Sequence, residues 1–293
     1  MSFPGVNYFL DTTLREILLQ IQRHYLFSKQ SVQGDICNDV FFCLSTGRTG
    51  STTLAGILSQ SNKLMAIHEP KPYLYGMSCA LYQNPEIADT IFAEQAFLTV
   101  RSEKLKIAKL AEKGFLETSP QATFLAPIIA NALPNSKFIH IVRHPADVVR
   151  SGMRRRWYDG HSADQTRIIP REGTKESNVW GKWSAFEKNC WLWNETNKWI
   201  ISFRETINDD RFYLIKAEDI YSGNHSELEG LYKFLTIPPI SKYSVEKILS
   251  KKLNQQRTGD FPPYINWTFD KKVIIKNMVG EIAEKLGYQL DDK

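Results

Sequence analysis

The chain has 293 residues, enough for one large domain or two small ones. Hydrophobic residues make up 42% and charged residues 24%, the balance of a soluble globular protein, which excludes a disordered chain, a coiled coil and a collagen-like repeat. A net charge of +5 suits an anionic ligand but is too small to argue for nucleic acid, which is not expected as a partner.

In chain order, residues 1–38 predict a leader and one amphipathic helix. Leu14, Ile17, Leu18, Ile21 and Tyr25 recur at helical spacing behind a candidate N-cap, Asp11. This helix reads as packing on the core, with a lid or the arm of a homodimer as the alternative. From residue 40 the chain alternates. Short apolar runs of strand type lie at 40–44, 64–67, 114–117, 138–142 and 211–216. Helical patterns lie at 53–59, through most of 86–113, and at 123–132, 146–156, 177–207, 224–236, 242–252 and 270–286. Such alternation implies an α/β fold with a central parallel sheet covered by helices on both faces. With no internal repeat and no low-complexity linker, one domain over 1–293 is expected, with a helical extension (1–38), a core (40–270) and a last helix (270–293).

Cys37, Cys43, Cys79 and Cys190 are scattered with no CxxC pair, so neither a disulfide framework nor a zinc site is expected, and a reducing compartment fits. No apolar run reaches the ~18 residues of a membrane span. Asp11, Arg15 and Glu16 interrupt any signal-peptide pattern, so a cytoplasmic protein is expected and the sequons at Asn194, Asn224 and Asn266 read as chance.

The strongest local signal is Ser45-Thr46-Gly47-Arg48-Thr49-Gly50-Ser51-Thr52-Thr53, between an apolar strand and a helix. There, backbone N–H groups and the helix dipole converge on an anion. Gly47 and Gly50 permit a tight turn, the three hydroxyls after them can donate to phosphate or sulfate oxygens, and Arg48 adds a cation. It is not a Walker A loop, because the glycines are three apart and no lysine precedes Ser51. The strand 138–142 is followed by Arg143, where a Walker B strand would carry a magnesium-binding Asp. A second anion site is read at Arg143 and Ser151, the first just past this strand and the second on the helix that Pro145 opens.

Together these two segments resemble the sulfotransferase family that uses 3′-phosphoadenosine 5′-phosphosulfate (PAPS). The resemblance rests on the loop 45–53 and on Phe138-Ile139-His140-Ile141-Val142-Arg143-His144-Pro145 with Ser151 eight residues after the arginine. Two weaker segments support it, Leu214-Ile215-Lys216-Ala217-Glu218-Asp219 and Gln256-Arg257-Thr258-Gly259-Asp260. The resemblance implies a P-loop-like fold in which Thr46 to Thr53 hold the 5′-phosphosulfate. Arg143, Ser151, Arg257, Thr258 and Gly259 would hold the 3′-phosphate, and the product would be adenosine 3′,5′-bisphosphate. No metal is expected, because sulfate carries less charge than a terminal phosphate and no ligand cluster is apparent.

Sulfuryl transfer needs an in-line acceptor, a base and a stabiliser for the leaving group. The base belongs at the C-terminal end of a strand beside the phosphate loop. The second strand ends in His68-Glu69-Pro70-Lys71, with Glu69 the first choice and His68 the alternative. Relatives acting on carbohydrates or tyrosine carry a similar glutamate. A lysine that relatives place after the third strand is Thr118 here, which leaves Arg48 or Lys71 to carry the charge, and Ala217 replaces a tyrosine near the adenine. The acceptor is expected to be a small molecule or a glycan, natural-product tailoring included, with Trp157 and Tyr158 in contact with it. Residues 157–176 read as a mobile polar loop, Trp180, Trp183 and Trp191 as one helical stripe, core in preference to binding, and Arg154 to Arg156 as a solvated face, with an extension of the field around the nucleotide as the alternative. A P-loop-type kinase and a non-catalytic nucleotide- or nucleic-acid-binding module are the alternative functions.

Overall fold

A computed structural model describes residues 36–251 and 259–290. The expected helix near 14–25, together with Arg257 and Thr258, lies outside the described residues. Five strands form one wholly parallel sheet: β1 (Val40–Leu44), β2 (Leu64–Ile67), β3 (Gly114–Glu117), β4 (Lys137–Val142) and β5 (Phe212–Lys216), in the order β2-β3-β1-β4-β5. All five coincide with short, mainly apolar runs of the sequence, and the inner strands β3, β1 and β4 are the ones buried on both faces.

The period of two sorts each strand between two cores. In β1, Val40, Phe42 and Leu44 point to one face while Phe41 and Cys43 point to the other. In β4, Phe138 joins the first core, and Ile139 and Ile141 the second. The first core is covered by α3 (Ile91–Leu110) and α4 (Ala126–Ala132), and the second by α1 (Ser51–Leu58), α9 (His225–Phe234) and α10 (Lys242–Leu249). A third cluster joins α5 (Pro145–Arg154), α7 (Ala185–Arg204) and α11 (Phe269–Lys285). Three shorter helices complete the set among the described residues: α2 (Tyr75–Gln83), α6 (Lys175–Val179) and α8 (Ala217–Ser222).

The departures from expectation are local. α2 and α8 follow strand-end turns and carry no strong apolar stripe of their own. Trp180 and Trp183 do not share a helix with Trp191. Ser184 caps α7 through the Glu187 N–H, Glu187 returns the bond, and this capping box starts the helix at Ala185. The two tryptophans precede it on a separate turn, yet Trp180 still packs on Trp191 with ring centres 5.1 Å apart. The stretch after α5 is a folded loop organised by Asp164, whose carboxylate accepts from the Tyr158 and His161 N–H groups and from Arg167. All four thiols are unpaired, and burial pushes the Cys37 and Cys79 thiols up to about 11. No helix among the described residues is long and apolar enough to cross a membrane.

Candidate active site

β1 and β4 are neighbours, but the chain leaves them in opposite directions across the sheet. In an open parallel sheet that reversal leaves a crevice beyond the strand C-termini, where ligands bind. A cavity of about 400 Å³ opens there, lined by the loop 45–53, the end of β2, α2, the turn at 120–124, the segment 155–168 and α7.

The loop after β1 is built to expose backbone N–H groups. Gly47, Arg48 and Gly50 have left-handed φ of 79°, 62° and 84°. Such angles fit the glycines, while at Arg48 they mark local strain. Thr123 anchors the loop from below, its Oγ1 accepting from Ser45 N–H at 2.9 Å and donating to Ser45 O at 3.0 Å. Gly50 caps α1 without a side chain, leaving the first-turn N–H groups of Ser51, Thr52 and Thr53 to face the crevice. The Thr49 hydroxyl is buried with no hydrogen-bond partner among the described residues. This donor set of backbone N–H, hydroxyl and guanidinium groups fits a phosphate- or sulfate-bearing ligand.

The second anion segment meets the first. Arg143 leaves the end of β4, donates to Arg48 O at 3.2 Å and pairs with Asp147 one helical turn on, also at 3.2 Å. Trp193 on α7 donates to Arg143 O at 2.9 Å. Arg48 Nε donates to Ser151 Oγ at 3.1 Å, so one side chain spans the two segments. Burial, and then repulsion from Arg155, pulls the Arg48 guanidinium down to about 10. An arriving anion would reverse that shift. Tyr221 of α8 stands beside Gly50, with the Arg143 Cζ 5.4 Å from its ring centre. Gly259 packs on the end of α5, where Arg154 Nε donates to its carbonyl at 3.0 Å.

The two candidate bases differ in freedom. His68 Nδ1 lies 2.5 Å from the Thr118 carbonyl, which can only accept, so the ring proton sits there. Its Nε2 then accepts from Thr52 Oγ1 at 2.9 Å, and both nitrogens are engaged. Thr118, in the place of the family lysine, therefore orients a histidine instead. Glu69, at φ 47°, projects into the cavity and accepts one hydrogen bond, from Tyr75 OH at 2.9 Å. Burial and the adjacent carboxylate push the Tyr75 phenol well above its usual range, so it stays a donor. The loop bearing Glu69 is moored by Arg101, which donates to Pro72 O at 2.9 Å and pairs with Glu117 inside the core at 2.6 Å.

The other named residues divide. Trp157 lines the cavity and touches the space above Gly47. Tyr158 does not line it; its hydroxyl donates to Ile168 O at 2.7 Å and fixes the loop. Lys71 also stands outside the lining, with its ammonium 5.9 Å from the Tyr73 ring centre. Of the arginine run, Arg154 holds Gly259, Arg155 lines the cavity and Arg156 is exposed. Sequence reasoning missed Tyr75, Arg155, His161 and Arg167. Only the density of basic residues in 154–167 signalled the last three.

Residues 40–241 match the model of the Sulfotransferase family. No curated protein sequence matches the chain. Among solved structures, sulfotransferase STF1 from Mycobacterium tuberculosis has a TM-score of 0.55 at 12% identity, over 92% of this chain and 84% of that one. Sulfotransferase STF9 from Mycobacterium avium has a TM-score of 0.54 at 11% identity, over 99% of this chain and 88% of that one. The sulfotransferase domain from the curacin biosynthetic pathway has 0.50 at 17% identity, over 87% of this chain and all of that one. These likenesses show a common P-loop-like fold. The family match spans well over half of the sequence, so the chain belongs to the sulfotransferase family, enzymes of sulfuryl transfer.

Proposed function

We propose that the chain transfers a sulfuryl group from PAPS to a hydroxyl or amine of a small-molecule or glycan acceptor. The observation that carries this reading is the meeting of the loop 45–53 with Arg143 and Ser151 through Arg48, beside a carboxylate on the same cavity. The loop would take the phosphosulfate. Arg143 and Ser151, with Arg257, Thr258 and Gly259, would take the 3′-phosphate. In the reaction the acceptor oxygen or nitrogen forms a bond to sulfur. The bond from sulfur to the bridging oxygen breaks, and adenosine 3′,5′-bisphosphate leaves with that electron pair. Glu69 takes the acceptor proton, Arg48 and the α1 N–H groups face the charge on the departing oxygen, and His68 holds Thr52 in place. Tyr158, which fixes the loop through its bond to Ile168 O, and Lys71, outside the cavity lining, take no direct part in this reading.

The test is thermal denaturation with adenosine 3′,5′-bisphosphate, ATP and GTP in parallel. A ligand at about 100 times its Kd stabilises the native state by about 2.7 kcal/mol. The bisphosphate should raise the melting temperature and the triphosphates should not. A shift with ATP and magnesium alone would replace this reading with a kinase. Turnover, once an acceptor is found, should survive a chelator.

A further inference from the structure

The wall of the cavity away from the phosphate loop carries basic groups that the donor grips do not use. Arg155, His161 and Arg167 all lie on the segment 155–168 and line the cavity. The Arg167 guanidinium lies over Trp157, its Cζ 3.9 Å from the ring centre, and donates through Nε to Asp164 at 3.0 Å. Its side chain is only 15% exposed, yet its two terminal nitrogens make no hydrogen bond to the described residues. His161 accepts the Ala163 N–H on Nδ1 at 3.0 Å, so its proton sits on Nε2. Asp164 is committed to Arg167 and to two backbone N–H groups. Among the described residues, the carboxylate lining the cavity is that of Glu69.

This is a positive wall, and on it Arg167 keeps its terminal nitrogens for a ligand. Burial, and then the charge of Arg167, pulls both Arg155 and His161 below their usual ranges. The Arg167 terminal nitrogens are turned to the cavity, and a planar guanidinium fork matches an oxyanion. Trp157 turns its ring edge to Gly47 and its face to Arg167, which separates this fork from the phosphate loop. Tyr75 links the fork to the base, since it feels the Arg167 charge and bonds Glu69. Phe124, Ile168 and Leu192 add apolar surface to the same cavity, beside the hydroxyls of Thr166 and Thr196.

We propose that the acceptor carries its own oxyanion, a carboxylate or a phosphate, gripped by Arg167 and Arg155, with an apolar body against Trp157 and a hydroxyl turned to Glu69. This rests on the sulfuryl-transfer reading of the same cavity.

The test is calorimetry in saturating adenosine 3′,5′-bisphosphate with probes of matched body: 3-(4-hydroxyphenyl)propanoate, its methyl ester, 2-(4-hydroxyphenyl)ethyl phosphate and tyramine. An oxyanion probe should bind about 10-fold or more tightly than the ester, and tyramine weakest. The carboxylate and phosphate arms separate the two oxyanions. Arg167→Gln should erase the preference and Arg167→Lys should keep part of it. Arg155→Gln should reduce the preference without touching the Asp164 anchor, and both Arg167 variants should bind the nucleotide as before. Equal affinity for acid and ester on the nucleotide-bound protein overturns the proposal and leaves the donor reading intact. So does inorganic sulfate displacing the acid at the acid's own affinity, because the probe would then occupy the vacated sulfuryl position. Failure of the bisphosphate itself to bind overturns the donor reading, and this proposal with it.

Discussion

The two sides of the cavity are made differently. The donor side is built on strand ends: the loop 45–53 hung on Thr123, and Arg143 at the end of β4, its guanidinium held by Arg48 O and Asp147. The opposite side is long side chains on an irregular segment, ordered by one carboxylate at Asp164 and by Asn189, which donates to Trp157 O at 3.1 Å. Groups carried on sheet ends are positioned accurately, whereas loops can vary without disturbing the core. One half of the site is thus fixed by the fold and the other is free to differ between relatives.

The largest expected effect separates chemistry from binding. Glu69→Gln should cut turnover on the order of 10³-fold while sparing nucleotide affinity, read by kinetics beside calorimetry. Retained turnover would move the base to His68 and place it nearer the donor side. A second way to stress the joint between the halves is pH. His140 on β4 donates to Asn197 on α7 at 2.8 Å, and burial pulls its imidazole down to about 4. The unfolded chain takes up this proton below about 6.5 and the folded one does not. The contribution is therefore complete above 6.5 and is lost as pH falls toward 4, roughly 3 kcal/mol in all. Denaturant titrations from pH 7 to 4 should show the loss, and His140→Gln should flatten it. Arg143→Ala should weaken bisphosphate binding by about 1.5–3 kcal/mol, with little change in acceptor affinity. Gly152→Ala would drive a methyl into the Asn189 amide and toward Trp157, costing about 1–3 kcal/mol of stability and disturbing the acceptor side first. Tyr75→Phe removes one hydrogen bond from Glu69, and turnover should fall several-fold, about 1 kcal/mol, at unchanged nucleotide affinity.

The same division explains what could be read from the sequence. Strands and the phosphate loop announce themselves locally. Val40 to Leu44 is apolar at every position, and Gly47 and Gly50 sit where left-handed φ is required. Arg143 and Ser151 are legible because they occupy fixed offsets from a strand end. The acceptor wall has no such grammar. Arg155 and Arg156 are neighbours of identical type, yet one faces the cavity and the other faces water, a difference set by the left-handed turn at Arg156 and by the Asp164 anchor. Nor does spacing reveal that Arg48 and Ser151, 103 positions apart, hold one another.

That last contact bears on how quickly the site can load. While Arg48 Nε holds the Ser151 hydroxyl, neither group is wholly at the disposal of a newcomer. Docking a nucleotide at both segments would exchange this internal latch for bonds to the guest, so the net affinity would be smaller than the gross attraction. Ser151→Ala removes the keeper of the latch along with one grip. Its association rate should rise even as its equilibrium constant weakens.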